Sequence, residues 1–223
     1  MGYASAVIAL GAKPSAATHE CKEYLESVAV ICGEPSVNIV VRTYAGSSAA
    51  GIFKDKDPGD RLLVSGEICL DPDGNVPILT ATVICAGHSD QYLNEIVVVG
   101  NLGGAARDSD SGKSIKRSIA ANRHYRDPAQ DEPVEVTDWF GVRAYGYNKD
   151  RLESIEKGSL LEVTGSLAQM INASGVPFCE IKARAIKVHR SARALNPAAG
   201  TTAVGYDQDA FNGQPDDCPS NWS

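Results

Sequence analysis

The chain has 223 residues, 43% of them hydrophobic and 22% charged, which is enough apolar material for one large or two small cores and too little, in runs that are too short, for a span of the roughly 20 apolar residues a bilayer requires. The formal net charge of −7 argues against a uniformly basic nucleic-acid binder. Its distribution is uneven, however: residues 1–92 hold 6 basic and 11 acidic side chains, residues 93–190 hold 14 and 13, and residues 191–223 hold 1 and 4. Screening confines charge effects to about 8 Å at physiological salt, so a basic groove in the middle segment is compatible with an acidic whole.

In chain order, the opening MGYASAVIALG lacks a basic flank and reads as a first strand rather than a leader. Ala6 stands where a myristoylation motif needs Ser or Thr. Four segments then recur in the same order. ASAVIALG (4–11) matches LNEIVVVG (93–100), and ESVAV (26–30) matches RSIAA (117–121). VVRTYAG (40–46) matches GVRAYGY (141–147), and RLLVSGEICLDPDGNVP (61–77) matches SLLEVTGSLAQMINASGVP (159–177). This predicts two copies of one domain, residues 1–92 and 93–190.

In the second copy EIVVVGNL, SIKRSIAAN, TDWFGVRAYG, SLLEVTGSL and FCEIKARAIKV are rich in β-branched and aromatic residues, with Gly, Asp, Asn and Pro clusters between them. NKDRLESIEKG suits a short helix, with Lys157 in its last turn and Gly158 as its C-terminal cap. Three strands, a helix and two strands is the order of an OB-fold, a five-stranded Greek-key barrel. The expected fold is therefore all-β, two tandem OB-folds. Residues 191–223 are rich in Ala, Gly, Asn, Pro, Asp and Ser without periodicity and read as a flexible acidic tail.

The stretch VTDWFGVRAYG (136–146) carries the functional argument. As a strand it puts Phe140, Val142 and Ala144 on one face, an ordinary core, and Trp139, Gly141, Arg143 and Tyr145 on the other. Two aromatics flanking an arginine are too polar for a core and too aromatic for plain surface.

The six cysteines, at 21, 32, 69, 85, 179 and 218, form no CxxC pair, and several lie in apolar runs such as ATVICAG. Buried, reduced thiols in the cytoplasm are expected, without a metal site or other cofactor. DSDSGKS lacks the first glycine of a phosphate-binding loop, where Arg107 stands, and GNLGG does not fit GxGxxG. The four histidines show no ligand spacing, and no catalytic constellation stands out, so a non-enzymatic protein is expected.

NEIVVVGNLG, GKSIKRSIAANRHYRD, TDWFGVRAYG and EKGSLLEVTGSL, in this order and spacing, resemble the bacterial single-stranded DNA-binding protein family over about 98 residues. The first copy resembles it only through the second and reads as degenerate. The resemblance implies the tandem two-fold form, working as a homodimer with four OB-folds. It puts the family's strand-two aromatic on Tyr125, its strand-three aromatics on Trp139 and Tyr145, and the lysine before the fourth strand on Lys157. The family's arginine two residues after the tryptophan is replaced by Gly141, with Arg143 on the same face as its substitute. The β-hairpin AQMINASG is shortened and has no aromatic or cation. In the first copy Asn38 takes the tryptophan position and the strand-two aromatic is missing, while Arg42 and Tyr44 persist. The acidic tip that recruits replication and repair proteins would correspond to Asp216, Asp217, Pro219 and Trp222.

The implied chemistry is sequence-independent. Rings on a rigid strand stack on any base at about 1–3 kcal/mol each, and neighbouring cations follow the phosphates. The expected contact set is Tyr125, Trp139, Arg143, Tyr145, Lys113, Arg123, Arg126 and Lys157, with Arg42 and Tyr44 weaker, and the partner is single-stranded DNA in replication, recombination and repair. The acidic first copy, the trimmed hairpin and the net charge favour a second reading, an OB-fold adaptor with weakened affinity, and single-stranded RNA binding is a third, ranked below both.

Overall fold

The structure is a computed structural model describing residues 1–33, 35–71, 75–88, 90–108, 112–126, 133–172 and 174–192. The first half contains β1 (Gly2–Leu10), β2 (Ser15–His19), β3 (Lys22–Ile31), β4 (Val37–Tyr44), α1 (Ser48–Phe53), β5 (Arg61–Leu70) and β6 (Pro77–Ala86). The second contains β7 (Asn94–Leu102), β8 (Arg107–Asp108), β9 (Ser114–Arg126), β10 (Pro133–Tyr145), α2 (Tyr147–Ser154), β11 (Leu160–Ile171) and β12 (Pro177–Arg190).

Each half closes on itself. β1 pairs β3 and β5, β3 pairs β4, β5 pairs β6, and the parallel pair β4–β6 completes the ring. β7, β9, β10, β12 and β11 repeat the circuit, with β10–β12 as the parallel pair. This is the OB-fold order, with a helix between the third and fourth barrel strands. Antiparallel pairing of β1 with β7, Gly2 opposite Val98 through Ala6 opposite Asn94, joins the barrels into one sheet. β2, which the repeat does not predict, forms a hairpin with β3.

The strand registers define which residues of the two barrels correspond. Arg42 opposes Thr80 across the parallel pair as Arg143 opposes Lys182, which matches the sequence alignment there. Elsewhere the alignment slips. Val41 opposes Ser27 and Val142 opposes Arg117, so Ser27 and Arg117 correspond, not Ser27 and Ser118. Likewise Leu10 corresponds to Leu102, because they face Ala29 and Ile119. A slip of one residue in a strand exchanges its two faces, so pairing rather than similarity among small apolar residues fixes the register.

Both barrels use the same device at the fourth strand. The register shifts at Ser65/Gly66 and at Thr164/Gly165. A Cβ on Gly66 would run into the Thr80 carbonyl, and one on Gly165 into that of Lys182. Each barrel is plugged at one end by its helix, through Phe53 and Leu152, both with no exposed surface. The core between is Ile8, Val41, Leu62, Val64 and Leu79 in the first barrel, and Ile96, Ile119, Val142, Leu161 and Ile181 in the second. Burying each such side chain contributes about 1.5–3 kcal/mol.

The second helix ends earlier than its sequence suggests. α2 stops at Ser154, Ile155 is already extended, and Gly158 (φ 85°) sits in the turn that enters β11, its N–H donating to Leu102 O at 2.8 Å. Arg117 takes over the cap: its Nη1 donates to the carbonyls of Leu152 (3.0 Å) and Ile155 (2.5 Å) and its Nη2 to Gly103 O (3.1 Å). It is a buried structural cation whose pKa desolvation lowers.

Candidate nucleic-acid interface

The alternation expected in β10 is present. Phe140, Val142 and Ala144 lie in the core, while Trp139 and Arg143 are half-buried and Tyr145 is 48% exposed on the outer face. Trp139 is opposite Ala120, Arg143 opposite Lys116 and Tyr145 opposite Ser114, so small or cationic residues of β9 flank the rings. The indole edge rests on the end of β7, where a Cβ on Gly103 would come within 3.0 Å of Trp139 Cζ3.

Arg143 is anchored. Glu180 of β12, whose side chain has no exposed surface, accepts from Arg143 Nε at 2.5 Å and from Nη2 at 3.1 Å, and Arg143 Nη1 donates to Ser114 Oγ at 3.3 Å. The hydrogen bond to Glu180 holds the guanidinium pKa above its ordinary value. Lys116 Nζ lies 3.8 Å from the same carboxylate and 4.4 Å from the Phe178 ring centroid.

Tyr125 does not join Trp139. It is opposite Val134 and shares its face of the β9–β10 ribbon with Asp138, the face away from the tryptophan. Arg123, on the same side, donates from Nε to Asp138 Oδ2 (3.0 Å) and from Nη1 to Glu20 Oε1 of the first barrel (2.8 Å). Asp138 Oδ1 also accepts from Leu70 N at 3.2 Å. Arg123 therefore ties the barrels together, contrary to its expected place among groove cations. Burial raises the Asp138 pKa, with Arg123 opposing it.

A cleft of about 110 Å³ lies at this junction, lined by Lys22, Tyr24, Arg42 and Tyr44 of the first barrel and Arg123, His124, Tyr125 and Asp138 of the second. In the first barrel Tyr44 is backed by a buried ring and a cation. Tyr24 on β3 faces Tyr44 on β4, with ring centroids 5.0 Å apart. Arg42 lies 4.5 Å over Tyr24 and donates from Nε to Thr80 Oγ1 at 2.9 Å, while Lys22 Nζ lies 5.5 Å from the Tyr44 ring. Arg42 is 7% exposed and Tyr44 38%, so the tyrosine is the accessible member of the stack. Tyr24 sits at the start of its strand, where the second barrel has Ser114, and not at the end, where the second barrel has Tyr125, so the internal repeat does not point to it.

Lys113 and Lys157 are exposed at the approaches to β9 and β11. Arg126 ends β9, and its side chain lies outside the described residues, as do Asp216, Asp217, Pro219 and Trp222 of the tail. The thiols divide: Cys69 and Cys179 are buried, but Cys21 and Cys85 are exposed, because Cys85 in ATVICAG points away from the barrel interior. Among the described residues no group of His, Cys, Asp and Glu is placed to hold a metal ion, and no helix is long and apolar enough to cross a membrane. Glu20, Asp138 and Glu180 organise the cationic side chains, and nothing in their local sequence singled them out.

Comparison with known proteins bears on the second barrel and on the fold. Residues 93–174 match the model of the single-strand binding protein family. The fold is similar to the crystal structure of the wild-type single-stranded DNA binding protein from Thermus aquaticus, with a TM-score of 0.60 at 17% identity, covering 92% of this chain and 97% of that one. A deletion mutant of the Thermus aquaticus protein matches with the same score and identity over 84% of this chain and 94% of its own. The likeness therefore takes in both barrels.

Proposed function

We propose, on the premise that the second barrel belongs to the single-strand binding protein family, that this chain binds single-stranded DNA without reading its sequence and acts on strands exposed in replication, recombination and repair. The observation that carries the reading is the outer face of β10, where Trp139, Arg143 and Tyr145 point out while the alternate residues fill the core. Bases stack on Trp139 and Tyr145, and Arg143, Lys113 and Lys157 meet phosphates. In the first barrel Tyr44 offers a further ring, and Arg42 supports it from beneath through Tyr24. Tyr125 meets the strand where it passes between the barrels, in the cleft it shares with Tyr44. Arg123 faces two carboxylates, Glu20 and Asp138, and brings no net positive charge to the strand, whereas Arg143 and Lys116 share the single carboxylate of Glu180.

Two finer points belong to the same reading. Tyr3 (47% exposed), Val83 (50% exposed), Leu63 and Val97 lie on the outward side of the sheet that runs through the β1–β7 junction. This apolar surface suits self-association, and a homodimer would present four barrels to one strand, adding affinity through effective concentration. The acidic tail, with Asp216, Asp217, Pro219 and Trp222, supplies a recruiting segment for other proteins.

The chain has two tryptophans, so Trp222→Phe leaves Trp139 as the single reporter. Titration of that variant with oligothymidine is expected to quench its fluorescence at low salt, with binding that weakens as salt rises. Absence of a complex at low salt would favour an adaptor role instead, and competition with matched RNA decides between the two nucleic acids.

A further inference from the structure

A carboxylate lies in the middle of the face assigned to the phosphate chain. Glu180 is on the outward side of β12 and its side chain has no exposed surface. It is held by Arg143 through Nε at 2.5 Å and Nη2 at 3.1 Å, with Lys116 Nζ at 3.8 Å. A buried carboxylate is costly unless paired, and here two cations share it, leaving the cluster at +1.

The fold does not require this carboxylate. Glu180 opposes Gly141 across the parallel strand pair as Ile78 opposes Val40 in the first barrel. The first barrel closes the same pair with Ile78, puts Glu26 where Lys116 stands, and holds Arg42 with Thr80 and Tyr24 instead. Glu180 is thus specific to the barrel with the tryptophan. Gly141, its partner across the pair, puts no side chain between the carboxylate and Arg143.

The pairing also orients the guanidinium. Glu180 uses the N–H of Nε and one on Nη2, and Ser114 Oγ takes one on Nη1. Of the five N–H groups of an arginine, one on each η nitrogen has no partner among the described residues, and such a pair can reach phosphate oxygens. The Arg143 side chain is 16% exposed, mostly covered but still reached by solvent.

We propose that Arg143, Lys116 and Glu180 form a built seat for one phosphodiester group of the bound strand, between the bases stacked on Trp139 and Tyr145, with Glu180 as the positioning residue that orients both cations and limits their summed charge. The seat rests on the function proposed above. Glu180 thereby sets how strongly the face depends on salt: it keeps the phosphate contact geometrically sharp but electrostatically moderate.

The test is the salt dependence of oligothymidine binding by the full chain and two variants. For single strands log K falls with log salt by about 0.7 per phosphate neutralised. Glu180→Gln keeps the shape and removes the charge, so the slope is expected to steepen by about 0.7. Lys116→Gln leaves a neutral Arg143–Glu180 pair, so the slope is expected to become shallower by about the same amount. Opposite movements support the seat. If wild type binds and both variants keep its slope, the seat is overturned and the proposed function stands; if wild type itself shows no salt-sensitive complex, the proposed function falls first. Should Glu180→Gln not fold, Lys116→Gln decides alone, an unchanged slope counting against the seat.

Discussion

Replacing Arg123 by Ala separates a structural tie from a DNA contact. The guanidinium joins Glu20 of the first barrel at 2.8 Å to Asp138 of the second at 3.0 Å. Asp138 is 7% exposed, and without Arg123 its carboxylate keeps the Leu70 N–H at 3.2 Å. Breaking a buried pair costs about 3–5 kcal/mol. Water reaches a quarter of the Arg123 side chain and a similar share of Glu20 (25% and 24% exposed), so the Glu20 arm counts as a near-surface pair worth about 0–1 kcal/mol and the Asp138 arm is discounted. A loss of about 2–3 kcal/mol is expected, which for a chain of this size lowers Tm by about 5–10 °C. Thermal unfolding followed by circular dichroism measures it, and Arg123→Ala combined with Asp138→Ala should recover part of the loss, because the stranded carboxylate goes too. The salt slope of DNA binding should stay at its wild-type value. An unchanged Tm together with a slope shallower by about 0.7 would refute the reasoning and return Arg123 to the phosphate contacts.

Trp139→Ala removes one stacking platform and is expected to weaken oligothymidine binding by about 5–150-fold, the equivalent of 1–3 kcal/mol, in an anisotropy titration, with Tm little changed. Among the described cysteines, Cys21 and Cys85 should react promptly with a thiol reagent, whereas Cys69 and Cys179 should react only on unfolding, since burial pushes their thiols up to about 11 and about 12. Asp138 has a folded pKa above its ordinary 3.8, so the native state holds the proton more tightly and its ionisation works against the fold as pH rises through that window. The stability advantage of wild type over Asp138→Asn should therefore be largest on the acid side and shrink as pH climbs above about 3.8, levelling once the folded carboxyl is ionised; denaturant titrations at several pH values would expose the opposite trend.

The two barrels use one scaffold with different support for the arginine on the outer face. In the second it is pinned by a buried carboxylate, and in the first by a hydroxyl and a tyrosine ring. The first barrel's stack of Arg42, Tyr24 and Tyr44 opens onto the same cleft as Tyr125. Tyr24 is buried, so the surface this stack offers is the Tyr44 ring, which Tyr24 backs from beneath.

Local pattern was enough for the barrel order and for the outer face of β10. Strand side chains alternate with a period of two, so Trp139, Arg143 and Tyr145 share a side whatever the rest of the chain does, and Phe140 and Val142 fill the other. The internal repeat likewise carries the strand–helix–strand order with it. What the chain could not disclose depended on partners far apart in sequence. Glu20 meets Arg123, and Glu180 meets Arg143, only after the barrels close and dock. Tyr125 parts from Trp139 through the register of the β9–β10 ribbon, and Gly158 yields the helix cap to Arg117. A cation's role is set by the charge that ends up beside it, and that neighbour is chosen by tertiary packing because no short-range rule brings residues 20 and 123, or 143 and 180, together.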